Sequence, residues 1–325
     1  MKKYLFVALL FCVSMGGYYP SSALAFYKST KFTVLVVNEN EEPLSGIRVG
    51  VGFEKNTGWG TDSSGQQGMT DSEGKLTFSG QSNGHITYGG RNDEYYPSYY
   101  DYDFKGLGTF GWEPWNPELK IVMRKIENPV PMYARNVKSS KKKIELPVLG
   151  REVGFDLEHY DWVAPYGKGE TADFIFKATK MVKDKRDFDV EVILSFLNQG
   201  DGIITIKEDF SNGSEFKLPR FAPESGYDSQ KIFEEHRRLG QKVERNFEPE
   251  DSYIFKVRSK YLDGELIEAK YGKIHGPIFI DANWTETARI YLKYYFNPDG
   301  TRNLEFDPKR NLFGNLPNLE RVTEP

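Results

Sequence analysis

Four residues in one short stretch, Asp156, Glu158, His159 and Asp161, have the side chains for acid–base chemistry. On a strand, Asp156 and Glu158 project from one face. Two carboxylates about 5 to 10 Å apart are what glycoside hydrolysis needs, one to protonate the leaving oxygen and one to attack or to activate water. The alternative is an exposed polar strand face, because Asp and Glu are mostly surface residues. Asp101-Tyr102-Asp103-Phe104-Lys105-Gly106 opens like a calcium loop, with acids at its first and third positions and glycine at its sixth. Lys105 then holds the fifth position and Trp112 the place of the bidentate glutamate, so a turn fits better than a cation site. Gly106-Leu107-Gly108-Thr109-Phe110-Gly111 satisfies GxGxxG, yet Pro114 and Pro117 forbid the helix that a dinucleotide loop must open, so a loop is expected.

His85, His159, His236 and His275 show no paired spacing, and no G-x-S-x-G elbow occurs. The only cysteine, Cys12, lies in the leader described below. The chain after that leader therefore has neither a thiolate nucleophile nor a zinc framework nor a disulfide. No cofactor and no metal are expected.

The densest cluster of one chemistry is aromatic. Tyr95, Tyr96, Tyr99, Tyr100 and Tyr102 crowd together, with Trp59, Trp112 and Trp115 in neighbouring Gly- and Pro-rich segments. Flat aromatic faces stack on sugar rings or peptides, and Tyr and Trp add a polar handle to a large contact area. These eight residues are the candidate ligand-binding set, each ring stacking on ligand while Asp101 and Asp103 accept hydrogen bonds. The competing reading is that the rings cap a sandwich end or fill a seam between domains.

Lys2 and Lys3 followed by an apolar run from Tyr4 to Val13 and by Ala23-Leu24-Ala25 have the layout of a secretory signal peptide, with cleavage after Ala25. The apolar run falls short of the ~20 residues a membrane span needs, so no transmembrane segment is expected after cleavage. Removing residues 1–25 takes away two lysines and no acid, which moves the formal net charge from −4 to −6. A mildly acidic, cysteine-free exported chain points to a bacterial envelope, periplasmic or extracellular, and argues against nucleic acid as a partner.

Patterning is of period two. Ile47, Val49, Val51 and Phe53 alternate with Arg48, Gly50 and Gly52, and similar pieces run over 32–37, 76–78 and 119–123. The runs Val34 to Asn38, Glu42-Pro43-Leu44-Ser45-Gly46-Ile47-Arg48-Val49 and Thr70-Asp71-Ser72-Glu73-Gly74-Lys75-Leu76-Thr77-Phe78 resemble the carboxypeptidase regulatory-like (transthyretin-like) β-sandwich over residues 31–125. The resemblance implies an accessory, binding or spacer module. The Tyr-Arg-Gly-Ser ending of the hydroxyisourate-hydrolysing branch is absent, so that activity is not carried over. The segment Phe155 to Gly169 resembles parts of uncharacterised secreted bacterial proteins, and no activity comes with it.

The expected organisation is a signal peptide (1–25), a first sandwich (26–125), a Pro- and Lys-bearing linker (126–144) and a second β-rich domain (145–325). In the latter, Phe188 to Phe196 read as a long strand, and 253–260 with 267–271 as a hairpin about Asp263-Gly264. Ala288 to Phe296 turn at Asn297-Pro298-Asp299-Gly300 and continue through Leu304 and Phe306. One surface helix is expected from an Asp228 N-cap to Val243. The fold class is all-β, two sandwiches, the second sandwich- or jelly-roll-like. The function expected is exported, non-catalytic binding or scaffolding in the envelope, with a glycan or an envelope protein as partner. The alternative is a secreted polysaccharide-cleaving enzyme using Asp156, Glu158 and His159.

Overall fold

The computed structural model of the chain describes residues 27–57, 60–138, 143–282 and 286–325. The expected signal peptide, Trp59 and the pair Lys141-Lys142 therefore lie outside the described residues. The fold is all-β, and the only helical turn among the described residues is a 3-10 turn at Pro308–Arg310.

The first half contributes β1 (Lys28–Asn38), β2 (Arg48–Thr57), β3 (Gly60–Met69), β4 (Lys75–Ser82), β5 (His85–Asn92), β6 (Tyr95–Asp103), the short β7 (Gly106–Leu107) and β8 (Trp112–Glu113), and β9 (Glu118–Met123). A three-stranded sheet in the order β4-β1-β9 faces a four-stranded sheet in the order β3-β2-β5-β6. The alternation seen in the sequence decides what meets between them. Phe32, Val34, Val36, Phe78 and Ile121 point inward from one sheet, and Val49, Val51, Phe53, Ile86 and Tyr88 from the other. The turn at Asp71–Gly74 works by local chemistry. Asp71 Oδ1 accepts from Glu73 N and Lys75 N, each at 2.9 Å, while Gly74 adopts φ +73°. A Cβ there would stand 2.7 Å from Val36 O, so glycine is required.

The second half adds β10 (Tyr133–Asn136), β11 (Ile144–Glu145), β12 (Val153–Asp156), β13 (Asp161–Trp162), β14 (Phe174–Asp184), β15 (Asp187–Ser195), β16 (Gly202–Lys207), β17 (Gln230–Arg237), β18 (Glu244–Arg245), β19 (Asp251–Leu262), β20 (Glu265–Ile274), β21 (Phe279–Asp281), β22 (Arg289–Tyr291) and β23 (Lys293–Asn297). A five-stranded sheet, β10-β23-β20-β19-β16, packs on a six-stranded one, β13-β12-β14-β15-β17-β18, with β11-β22-β21 as a small third sheet. Their core is aromatic: Phe174 meets Phe255 edge-on at 4.9 Å, and Phe233 meets Tyr253 at 5.8 Å. The Asp263-Gly264 hairpin forms as expected, both residues in the left-handed region at φ +52° and +86°.

Two expectations are corrected. The helix expected over 228–243 is instead β17 followed by a turn and β18. Its apolar spacing fitted a helix face, but β17 pairs with β15 along its whole length, from Phe188↔Arg237 to Ser195↔Gln230. Within it Phe233 and Glu235 alternate inward, Glu235 being neutralised by Arg245 at 2.7 Å. Gly240, at φ +81°, turns the chain, and Asp228 spends its backbone on a bridge to Ile203 rather than on a cap. Tertiary pairing has overridden a weak local preference.

The strand expected from 288 to 306 is also divided. It breaks at Leu292, whose carbonyl accepts from Val137 N at 2.9 Å, and β22 and β23 belong to different sheets. Beyond Gly300 the chain does not return along β23. Leu304 bonds Arg220 O through its backbone N–H, and Phe306 bridges Val130 in parallel.

The two halves are bound together. Tyr99 N donates to Gly213 O at 2.9 Å and Glu215 N to Pro97 O at 2.9 Å, so residues 213–215 extend the β6 edge. Beside them Glu305, fully buried, accepts from the Tyr96 hydroxyl at 2.8 Å and from Glu127 N and Asn128 N at 2.9 Å, and it pairs with Arg220 at 2.8 Å. Arg124 donates to Phe216 O and Leu218 O. Part of the stretch expected as a linker is woven into this arrangement: β10 pairs with β23, and Met132, Ala134 and Val137 are buried.

Candidate ligand-binding groove

The outer face of the β3-β2-β5-β6 sheet is concave because it is short of side chains. Register places Gly50 between Gln67 on β3 and Gly89 on β5, and Gly89 in turn beside Tyr99 on β6. The next row holds Gly65, Gly52, Thr87 and Asp101, and the row on the other side holds Met69, Arg48 and Arg91. Residues paired across antiparallel strands share a face, so Gly50, Gly52 and Gly89 all lie on the outer floor; Gly50 is open, whereas the Thr87 hydroxyl closes over Gly52 and the Tyr99 ring over Gly89. The groove has a volume of about 570 Å³ and is open to solvent. Through the glycine gaps it reaches the flanks of Val51 and Tyr88, whose side chains otherwise serve the core. A Cβ built on Gly50 meets nothing within 4 Å, so that part of the floor is empty space.

The walls are polar and aromatic. Tyr99 is 44% exposed, and the Arg91 guanidinium sits 5.4 Å from its ring centroid. Behind this face Tyr100 stacks on core Tyr88 at 5.5 Å with an interplanar angle of 21°, and its hydroxyl accepts from Val122 N at 3.2 Å. Burial pushes the Tyr88 phenol up to about 12, so it stays protonated. Arg48, Gln67, Thr87 and Asp101 complete the lining with donors and acceptors. This combination of an aromatic face, planar guanidinium forks and an open floor at Gly50 can hold a hydroxyl-rich ring.

The rings of the expected set divide. Tyr99 turns its ring to the groove, whereas Tyr100, its neighbour on β6, turns to the opposite face and packs on the core. Tyr96 is buried against Phe216 at 5.2 Å with its hydroxyl on Glu305, which is seam material. Tyr95 and Tyr102 pack on the core of the first half, Tyr102 edge-on to Phe104 at 5.0 Å. Trp112 is 9% exposed, lies against Gly84 and donates from Nε1 to Ser82 O at 2.8 Å, so it offers no face to a ligand. Trp115, 38% exposed, pairs with exposed Phe110 at 6.0 Å on the β7–β8 hairpin, apart from the groove. The GxGxxG run is that hairpin, as the loop reading requires. Trp59 lies outside the described residues.

Asp101 faces the groove, while Asp103 is held by His85 Nδ1 at 2.7 Å. Among the described residues no three His, Cys, Asp or Glu side chains gather to hold a metal.

The 156–161 cluster is built differently from a carboxylate pair. Asp156, 1% exposed, accepts from the backbone N–H groups of Glu158, His159, Glu170 and Thr171 and from His159 Nδ1 at 2.9 Å. Burial works against its charge, but these donors win and hold its carboxyl below the usual range. Glu158 is held by Arg258 at 2.5 Å, and Arg258 also grips buried Asp173. His159, raised by its bond to Asp156, lines an open cleft of about 670 Å³ with Arg135, Tyr160, Trp162 and Arg289. Its two arginines are taken up locally, Arg135 by Glu320 and Arg289 by Glu145 at 3.1 Å, and the Lys143 ammonium lies 4.8 Å from the Tyr291 ring centroid.

Sequence reasoning missed Arg48, Gln67, Thr87 and Arg91 and the three floor glycines. The signal was present in Arg48-Val49-Gly50-Val51-Gly52-Phe53, because glycine at outward positions of a strand marks a place where something approaches the backbone. Compared with known proteins, the chain matches no protein-family model and no curated protein.

Proposed function

We propose that the chain is an exported, non-catalytic binding protein of the bacterial envelope, and that its ligand is a glycan seated in the groove on the outer face of the β3-β2-β5-β6 sheet. The observation that carries this reading is the trough itself: about 570 Å³ of space over Gly50, between exposed Tyr99 and the polar side chains of Arg48, Gln67, Thr87 and Arg91. A sheet face serving only as surface gains from a β-branched residue at an open position such as Gly50, where glycine weakens the strand. The leader pattern, the cysteine-free remainder and the resemblance of residues 31–125 to the carboxypeptidase regulatory-like module support an exported accessory role. The reading as a polysaccharide-cleaving enzyme has less behind it. Asp156 is saturated with donors and Glu158 is tied to Arg258, whereas a general acid needs a carboxyl held up in its range and free to approach a leaving group.

The test is binding of the purified chain to an array of bacterial and host glycans, with Gly50→Val as the blocking variant. Valine fills open space and favours a strand, so the variant folds at least as well as the parent, by about 0.5–1 kcal/mol. Saturable binding in the parent and at least tenfold weaker binding in Gly50→Val are expected. A parent that binds no glycan on the array, or a variant that binds as well as the parent, overturns the assignment.

A further inference from the structure

We propose that the groove selects an acidic sugar, whose carboxylate lies between Arg48 and Arg91 while its ring rests on Tyr99 and the glycine floor. This rests on the glycan reading above and narrows it.

Arg48 and Arg91 are direct register partners on β2 and β5, both exposed, and like charges placed opposite each other across strands destabilise a sheet. Neither guanidinium has an ion pair or a hydrogen-bonded acceptor among the described residues. The buried and half-buried arginines Arg220 and Arg258 are each supplied with acids, Arg220 with Glu39, Glu127 and Glu305, and Arg258 with Glu158 and Asp173. The part-buried Glu215 feels the charge of Arg91, yet it stands beyond ion-pair distance. Two forks without an ion pair among the described residues, on adjacent strands and one of them steadied on the Tyr99 ring, form an anion clamp. Guanidinium is the group whose planar donors match a carboxylate two at a time.

The opposite end of the groove sets a limit on the ligand. Asp101 stands two outward positions along from the arginine row, about 13 Å at a strand rise of ~3.3 Å per residue. That is beyond the ~8 Å screening length at physiological salt, so Asp101 leaves the clamp positive. It repels a second acid placed there and accepts hydroxyl groups instead, with Thr87 beside it as its register partner. The geometry therefore favours a saccharide with one acidic end and a neutral, hydroxyl-bearing remainder over a uniformly charged polyanion.

The experiment uses the full purified chain. The probes are oligosaccharides ending in glucuronic, galacturonic, sialic or muramic acid, each paired with the counterpart in which the carboxylate is reduced to an alcohol. We expect at least one acid form to bind at least tenfold more tightly than its alcohol, with the preference falling as salt is raised. Arg48→Gln and Arg91→Gln should each erase that preference while leaving the melting temperature unchanged or raised, because the substitution relieves a like-charge pair. Equal binding of acid and alcohol overturns the acidic-sugar assignment and leaves the glycan reading in place. Failure of the whole panel, neutral forms included, together with a blank glycan array, overturns both. A preference that survives both substitutions overturns the arginine clamp.

Discussion

Lys273 stands on β20 opposite Ile254 and Tyr295, 1% exposed, with its ammonium 4.9 Å from the Phe216 ring centroid and 4.6 Å from that of Tyr295. No carboxylate lies within ion-pair distance of it among the described residues. Burial first, and then the charges of Arg124 and Lys293, push its amine from 10.5 down to about 7. At about 1.4 kcal/mol for each tenfold in the proton equilibrium, holding this lysine charged costs the folded state about 5 kcal/mol at acid pH. The sign with pH follows. Below about 7 both states carry the proton and the full cost stands. Between about 7 and 10.5 only the unfolded chain keeps it, so the contribution of Lys273 improves steadily as pH rises.

Lys273→Met keeps the length of the side chain and discards the charge. It also gives up the cation–ring contacts, worth about 2 kcal/mol, which leaves a net gain of about 3 kcal/mol at pH 6. The check is urea unfolding of parent and variant at pH 6, 8 and 10. The advantage of the variant should be largest at pH 6 and shrink toward zero by pH 10. Lys138, whose amine is lowered to about 8 by burial, titrates in both proteins and cancels from the difference. A variant less stable than the parent at pH 6, or an advantage that does not change with pH, would refute the reasoning.

The packing sets the cost of four further substitutions. Glu305→Ala leaves buried Arg220 short of its closest acid and the Tyr96 hydroxyl without an acceptor, so denaturant unfolding should show a loss of about 3 kcal/mol. Glu41→Ala, which removes the exposed pair with Lys120, should cost under about 1 kcal/mol in the same assay. Trp112→Ala should cost about 3–5 kcal/mol in thermal unfolding, because its ring is core, and Trp115→Ala under about 1 kcal/mol. Neither tryptophan substitution should change glycan binding at the groove.

The sequence by itself determined what depends on neighbours along the chain. Period-two alternation in Arg48 to Phe53 and in Phe188 to Phe196 reads as strand whatever the partner, since a pleated strand sends successive side chains to opposite faces. The Asp71–Gly74 and Asp263-Gly264 turns are equally local, because their geometry is set by a side-chain carboxylate and by glycine at positive φ. Tertiary structure decided the rest. Whether 230–237 becomes helix or strand depended on β15 lying alongside, since eight cross-strand pairs outweigh a marginal helical spacing. Which tyrosines face solvent depended on where residues 213–216 and Glu305 came to rest, far away in sequence. The groove arises because Gly50, Gly89 and Tyr99, on three different strands, fall into one row with the Arg48–Arg91 pair beside it. Sheet register sets that alignment, and no single stretch of chain carries it.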